Sequence, residues 1–190
     1  MIYLVRHGES EANINKRFSG ITDVQLSTKG REQAREAGKN LLLEKVSHIY
    51  TSPLNRATDT AKIIAEEINY HDNIITDNRL IEVNFGLFEN LTWDEITSLY
   101  KEESENWINN KHLYKFPEGE GYDDMVRRVS SFVDVVPDNS LIVSHFGVIQ
   151  SILLYLGIVD NNNLWDIKIS NCDILVINNK KLVNIIKCNK

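Results

Sequence analysis

Ile2-Tyr3-Leu4-Val5-Arg6-His7-Gly8-Glu9 and Leu141-Ile142-Val143-Ser144-His145-Phe146-Gly147 are built alike: a short apolar run, one polar residue, then a histidine and a small or turn-forming neighbourhood. Apolar runs this short are characteristic of strands buried on both faces of a parallel sheet. In an open α/β sheet, ligands bind in the crevice outside the carboxyl ends of the strands. Both imidazoles are therefore expected to point into one crevice, and a pair of histidines there suggests chemistry.

Working outward, strand and helix patterns alternate. Ser27 or Thr28 is an N-cap candidate for a helix to about Leu43, with Glu32 in its first turn. His48 to Thr51 reads as a strand, and Ser52-Pro53 as the N-cap and first position of a helix carrying Ala57, Ala61, Ile64 and Ile68. Ile74-Ile75 marks a third strand. Thr92-Trp93-Asp94-Glu95 has capping-box spacing. Met125, Val129, Phe132 and Val133 define an amphipathic helix that ends before Pro137, and Gly147 to Leu156 reads as a buried helix. Two final β runs flank Asn178-Asn179-Lys180 as a hairpin. This order predicts an α/β fold, a three-layer α/β/α sandwich on a mostly parallel mixed sheet.

The 190 residues are expected to form one domain spanning 1–190. Between about 102 and 122 the periodicity weakens and Trp107, His112, Tyr114, Phe116, Pro117, Gly119 and Gly121 collect. That segment reads either as a lid over the crevice or as a surface excursion whose aromatics pack back onto the core. Trp93 and Trp165 sit on apolar patterns and read as core. His48 and His71 belong to no motif and read as ordinary surface or hydrogen-bonded histidines.

A net charge of −6, with no cluster of Lys and Arg, argues against nucleic-acid binding. The apolar runs are too short to span a bilayer, and the start of the chain has no secretory-signal pattern, so a cytoplasmic protein without membrane insertion is expected. Cys172 and Cys188 lack CxxC spacing and read as free thiols. The sequence leaves the oligomeric state open. Arg6 and Arg56 instead point to a small anionic ligand at a locally positive site.

Phosphoryl transfer needs positioning, charge stabilisation and an in-line nucleophile. Arg6, Arg56 and His145 supply charge, and the helix that starts after His145 offers free amides to an anion. Gly8 is expected to let the backbone approach the ligand. His7 can attack if one ring nitrogen is unprotonated, and Glu82 in Arg79-Leu80-Ile81-Glu82-Val83-Asn84-Phe85-Gly86 is the natural acid. Burial and an incoming dianion raise the pKa of Glu82 while the arginines lower it, a balance the sequence leaves open.

These residues carry a family resemblance along essentially the whole chain. Arg6-His7-Gly8-Glu9-Ser10 with Asn13, Phe18-Ser19-Gly20 with Asp23, Ser52-Pro53-Leu54-Asn55-Arg56-Ala57 with Thr60-Ala61, the Glu82 loop with Phe85-Gly86, and Ser144-His145-Phe146-Gly147 together resemble the histidine phosphatase superfamily, also called phosphoglycerate mutase-like. The resemblance implies a phosphohistidine at His7 and Glu82 as acid and then water activator. It also implies a phosphoryl pocket of Arg6, Asn13, Ser19, Gly20, Arg56, His145 and the Phe146 backbone, with no metal and no organic cofactor. Within the superfamily the chain looks most like the α-ribazole phosphatases of cobalamin nucleotide-loop assembly, which implies a small-molecule phosphate ester with a flat base. Trp107, His112, Tyr114 and Phe116 are the candidate lid contacts to such a base.

Glu82 is followed by Val83-Asn84-Phe85 rather than the family mutases' Arg and Tyr, and positions 102 to 121 contain no Arg, which favours hydrolysis over mutase activity. Where many relatives have Glu-Gly the chain has Glu89-Asn90. A broad-specificity metabolite phosphatase, a phosphoprotein phosphatase with an open groove, and a catalytically silent phosphate-sensing or partner-binding module are the alternatives. The intact His7 and Glu82 stand against the last.

Overall fold

The computed structural model describes residues 1–188. Among them, six strands form one sheet in the order β3-β2-β4-β1-β5-β6. β1 (Ile2–Arg6), β2 (His48–Thr51), β3 (Ile74–Thr76) and β4 (Ser140–Ser144) run parallel, while β5 (Ile174–Asn178) and β6 (Lys181–Ile186) add an antiparallel edge. The expected hairpin joins β5 to β6 through Asn179 and Lys180, whose φ values of 48° and 60° give the doubly left-handed backbone of a tight two-residue turn.

Strand alternation sends side chains to two cores. Tyr3, Val5, Leu141, Val143, Ile174 and Val176 pack beneath α2 (Thr28–Asn40) and α3 (Asn55–Glu67), against Ala34, Ala37, Leu41, Ala57, Ala61 and Ile64. Leu4, Ile142, Leu175 and Ile177 face the other way, onto α6 (Tyr122–Val133) and α7 (Phe146–Tyr155) through Met125, Val129, Phe132, Val148, Ile149 and Ile152. Burying each large aliphatic side chain is worth roughly 1.5–3 kcal/mol, which fixes strand register because a one-residue slip would swap the two faces. The result is the expected three-layer α/β/α arrangement.

Two local readings are corrected. The helix after β2 begins at Asn55, two positions beyond Pro53, and Ser52 does not cap it. Its first amide is taken instead by Asp23, whose Oδ1 accepts from Asn55 N at 2.8 Å. The 102–122 stretch is largely ordered: α5 (Lys101–Asn110) and a short 3₁₀ turn, Lys111–Leu113, follow α4 (Trp93–Leu99), which carries the expected Thr92 to Glu95 capping box. The four-residue α1 (Glu11–Ile14), capped by Ser10, follows the first histidine motif.

Candidate active site

The two histidine motifs meet because β1 and β4 are parallel neighbours in register, Arg6 opposite Ser144. Strands in a sheet lie ~4.8 Å apart, so the first residues beyond their ends must approach. The rings of His7 and His145 lie 5.1 Å apart at 62°, and His7 N donates to Ser144 O at 2.9 Å. His7 Nδ1 sits 2.7 Å from Gly8 O. A carbonyl only accepts, so Nδ1 carries the proton and Nε2 keeps its lone pair. Burial, then the Arg56 and Arg6 charges, hold the pKa of His7 well below the ordinary histidine value, outweighing the Gly8 hydrogen bond, so the ring is neutral at physiological pH.

His145 is likewise held neutral, by burial first and then by Arg56 and His7. Its Nε2 is 2.8 Å from Ser52 Oγ. Ser52 thus orients the second histidine, a role hidden in the sequence by the 93 residues between them. Gly8 is needed for packing rather than for a ligand: a Cβ there would lie 2.4 Å from Gly30 O. Its amide donates to Thr60 Oγ1 at 3.0 Å, so β1 is tied to α3 at this point.

Arg56 is 1% exposed. It donates to Thr22 O at 2.9 Å, Ser19 O at 3.0 Å and Gly20 O at 2.7 Å. The loop supplying these carbonyls is gathered by one carboxylate, Glu89, which accepts from the backbone amides of Gly20 (3.1 Å), Ile21 (3.1 Å), Thr22 (3.2 Å) and Phe85 (3.0 Å). Sequence reasoning missed this role for Glu89. The next residue, Asn90, has φ 59°, a left-handed backbone conformation that asparagine tolerates better than most residues.

Arg6 donates to Ile169 O at 2.7 Å and lies over the Phe146 ring at 5.5 Å. Asn13 Oδ1 accepts from Ser10 N at 3.1 Å and from Asn171 Nδ2 at 3.2 Å, which leaves its own Nδ2 as the donor. Asn171 also donates to His7 O at 2.9 Å, a second support from beyond the reach of any local motif.

Glu82 is 8% exposed, and burial raises its pKa above the usual carboxylate value. The shift is opposed by hydrogen bonds from Val83 N to Oε1 (3.0 Å) and Gly147 N to Oε2 (3.1 Å), and then by Arg56 and Arg6. Burial prevails, so the protonated acid is favoured more than in an exposed carboxyl. Gly147 permits this contact: a Cβ there would stand 2.6 Å from Glu82 Oε1. Arg128 braces the acid loop, donating to Arg79 O at 2.8 Å and Glu82 O at 3.2 Å while paired with Glu120 at 2.9 Å.

These groups open on a cavity of about 340 Å³. Arg6, His7, Asn13, Ser19 and Glu82 form its polar end; Phe18, Val83, Phe85, Trp107, Phe116, Tyr122, Phe146 and Trp165 form the rest, with Arg17 at the rim. Arg56 and His145 are buried and do not form its wall. Gly20 is not on the wall either, its amide being taken by Glu89 and its carbonyl by Arg56.

Of the four aromatic candidates between 107 and 116, Trp107 and Phe116 line the cavity, their rings 4.9 Å apart. Tyr114 lies behind them, buried, its hydroxyl donating to Glu103 Oε2 at 2.8 Å. His112 lines a separate depression with Lys115, Asp124 and Arg127. The core reading of Trp165 is overturned: it is 40% exposed and reaches the cavity, stacked on Phe146 at 6.0 Å and 16°. Trp93 is partly buried against the core, with Trp107 at 5.7 Å. Arg17, which no motif reading assigned, is committed to Glu95 at 2.9 Å and to Asn90 O.

Two histidines and a carboxyl at one end of a parallel sheet, in a three-layer α/β/α fold, define a phosphatase- or mutase-like site of the phosphoglycerate mutase-like class. The chain belongs to the histidine phosphatase superfamily (branch 1), whose family model matches residues 2–185. It is 31% identical over 190 residues to phosphoserine phosphatase 1 of Hydrogenobacter thermophilus, covering 97% of this chain and 89% of that one. It is 34% identical over 185 residues (91% and 82%) to a protein of Escherichia coli O1:K1 named as a probable phosphoglycerate mutase, GpmB. The crystal structure of the α-ribazole phosphatase from Shigella flexneri superposes with a TM-score of 0.83 at 26% identity, covering 95% of this chain and 92% of that one. Among the described residues no helix is long and apolar enough to cross a membrane.

Proposed function

We propose that the protein is a cytoplasmic, metal-independent phosphomonoesterase that works through a phosphohistidine at His7. The observation that carries this reading is the tautomer fixed by Gly8 O: with Nδ1–H engaged at 2.7 Å, Nε2 is the nucleophilic nitrogen. Nε2 attacks phosphorus, the P–O bond to the alcohol breaks, and Glu82 gives its proton to the departing alkoxide. Glu82, now a carboxylate, takes a proton from water as that water attacks phosphorus, the P–N bond breaks, and inorganic phosphate leaves. The Gly8 carbonyl stabilises the charge that the ring acquires while phosphorylated. Arg6, Asn13, Ser19 and the Phe146 backbone hold the equatorial oxygens; Arg56 adds positive charge from behind the wall, His145 packs edge-on against the His7 ring, and Gly20 contributes by fixing Arg56.

The alcohol portion faces rings. An alcohol that carries a flat aromatic group suits Trp107 and Phe116, and α-ribazole 5′-phosphate, the substrate class named by two structural neighbours, is the candidate that carries one. A broad metabolite phosphatase is the second reading, favoured by a wall that reads shape more than hydrogen-bonding pattern. Mutase activity is disfavoured because the rim cation, Arg17, is already paired with Glu95.

The test is phosphate release from α-ribazole 5′-phosphate, phosphoserine and p-nitrophenyl phosphate in EDTA, with acid-quench trapping of protein-bound phosphate. Turnover with a trapped phosphohistidine that is absent in His7→Ala supports the reading. Wild-type-like turnover by His7→Ala overturns it.

A further inference from the structure

The reaction cavity borders a second, apolar space. A second depression of about 360 Å³ is lined by Trp93, Trp107, Ile108 and Trp165, and it shares Trp107 and Trp165 with the cavity. The two spaces therefore adjoin across a tryptophan of α5 and one from the connection between α7 and β5. No charged side chain lines the outer one. Ile108 is 56% exposed and Trp165 40%, so a contiguous apolar surface is left facing water at the mouth of a site. The arrangement is braced: Trp165 stacks on Phe146 and meets Tyr122 edge-on at 5.7 Å, while Trp93 meets Trp107 at 64°.

Two features select the occupant. First, an alcohol as short as serine or glycerate would be confined to the polar end of the inner cavity and would leave both tryptophans uncovered. Second, the outer depression is lined by no charged side chain, and Arg17 of the inner cavity is held by Glu95 and Asn90 O, so the outer lining itself offers no cation to a carboxylate or second phosphate at the far end of the substrate. We propose that the outer groove is a subsite for an apolar extension of the alcohol, so that the preferred substrates are phosphate monoesters whose alcohol carries an aryl ring followed by an alkyl or second aryl group. Ile108 and Trp165 are then specificity determinants, gripping the extension while phosphoryl chemistry proceeds at His7. This rests on the phosphomonoesterase reading, and the experiment separates the two.

The measurement is kcat/KM for phenyl, para-butylphenyl and para-octylphenyl phosphate at concentrations below micelle formation. Burying added methylenes predicts a rise of about tenfold or more along the series, expressed in KM. Ile108→Glu, a change on an exposed position outside the reaction cavity, is expected to flatten the series and leave phenyl phosphate turnover at the wild-type value. Trp165→Ala provides a second check by flattening the series without introducing charge. A flat series in the wild type, with phenyl phosphate hydrolysed normally, overturns the subsite and leaves the phosphatase reading intact. A series that still rises in both variants also overturns it. Failure to hydrolyse any of the three esters, together with no trapped phosphate, is a failure of the reaction assignment itself.

Discussion

The two ends of the cavity are held by different forces. At the phosphate end, charged and polar groups are buried and fixed by directional bonds: Arg56 by three carbonyls, their loop by Glu89, Glu82 by two amides, His7 by Gly8 O. At the alcohol end, the side chains of Phe18, Phe85, Trp107 and Phe116 meet ring against ring, and Trp165 stacks on Phe146. Directional bonds tolerate little displacement, because an unpaired buried polar group costs about 1–3 kcal/mol. Ring packing tolerates substitution of similar volume at less than about 1.5 kcal/mol. One end is therefore built for a single chemistry, and the other is free to change its specificity.

The largest expected break in this comparison is Glu82→Gln. Removing the proton donor should lower turnover of alkyl phosphates by about 10²–10⁴-fold, with much smaller losses in the phosphorylation step for esters of good leaving groups. Because burial raises the Glu82 pKa, wild-type turnover of alkyl esters should fall as pH rises through that pKa and the acid deprotonates; the variant should lack this alkaline limb. Equal losses on both ester classes, read by single-turnover kinetics, would remove Glu82 from the acid role.

Glu89→Gln comes next. The substitution keeps one acceptor oxygen but removes the charge and the second acceptor that gather residues 20 to 22, so Arg56 loses its fixed frame. Misplacement of about 1 Å can cost on the order of 10²-fold, and we expect a loss of about 10–100-fold in kcat/KM with weaker inhibition by inorganic phosphate. Unchanged phosphate inhibition would show that the loop does not position Arg56.

Phe116→Leu should have the smallest effect. Losing part of a buried ring should lower stability by about 1 kcal/mol, and KM for aryl phosphates should rise a few-fold while kcat holds. A fall in kcat as large as that of Glu89→Gln would mean that the alcohol wall is coupled to the chemistry and that the two ends are not separable.

Four motifs at the phosphate end are readable in the primary structure because each is local: the histidine after a strand, the arginine in the first turn of a helix, the acid in a loop. Their supports are not local. Glu89 acts on residues 67 to 69 positions earlier, Ser52 on a histidine 93 positions later, and Asn171 on a carbonyl 164 positions earlier. The aromatic wall is harder still to read. Trp107, Tyr114 and Phe116 look equivalent in composition, yet one of the three is turned away to bond Glu103, and Trp165 looks like core but stands in the mouth.

The sequence by itself determined the strand and helix alternation, the two-faced sheet and the set of reacting groups, because periodicity and short motifs are properties of neighbouring residues. The tertiary structure alone decided which nitrogen of His7 is free, which carboxylate holds the Arg56 loop and which aromatics face the substrate. Each of those outcomes depends on where a distant carbonyl, amide or ring comes to rest, and only the packing of the complete fold fixes that.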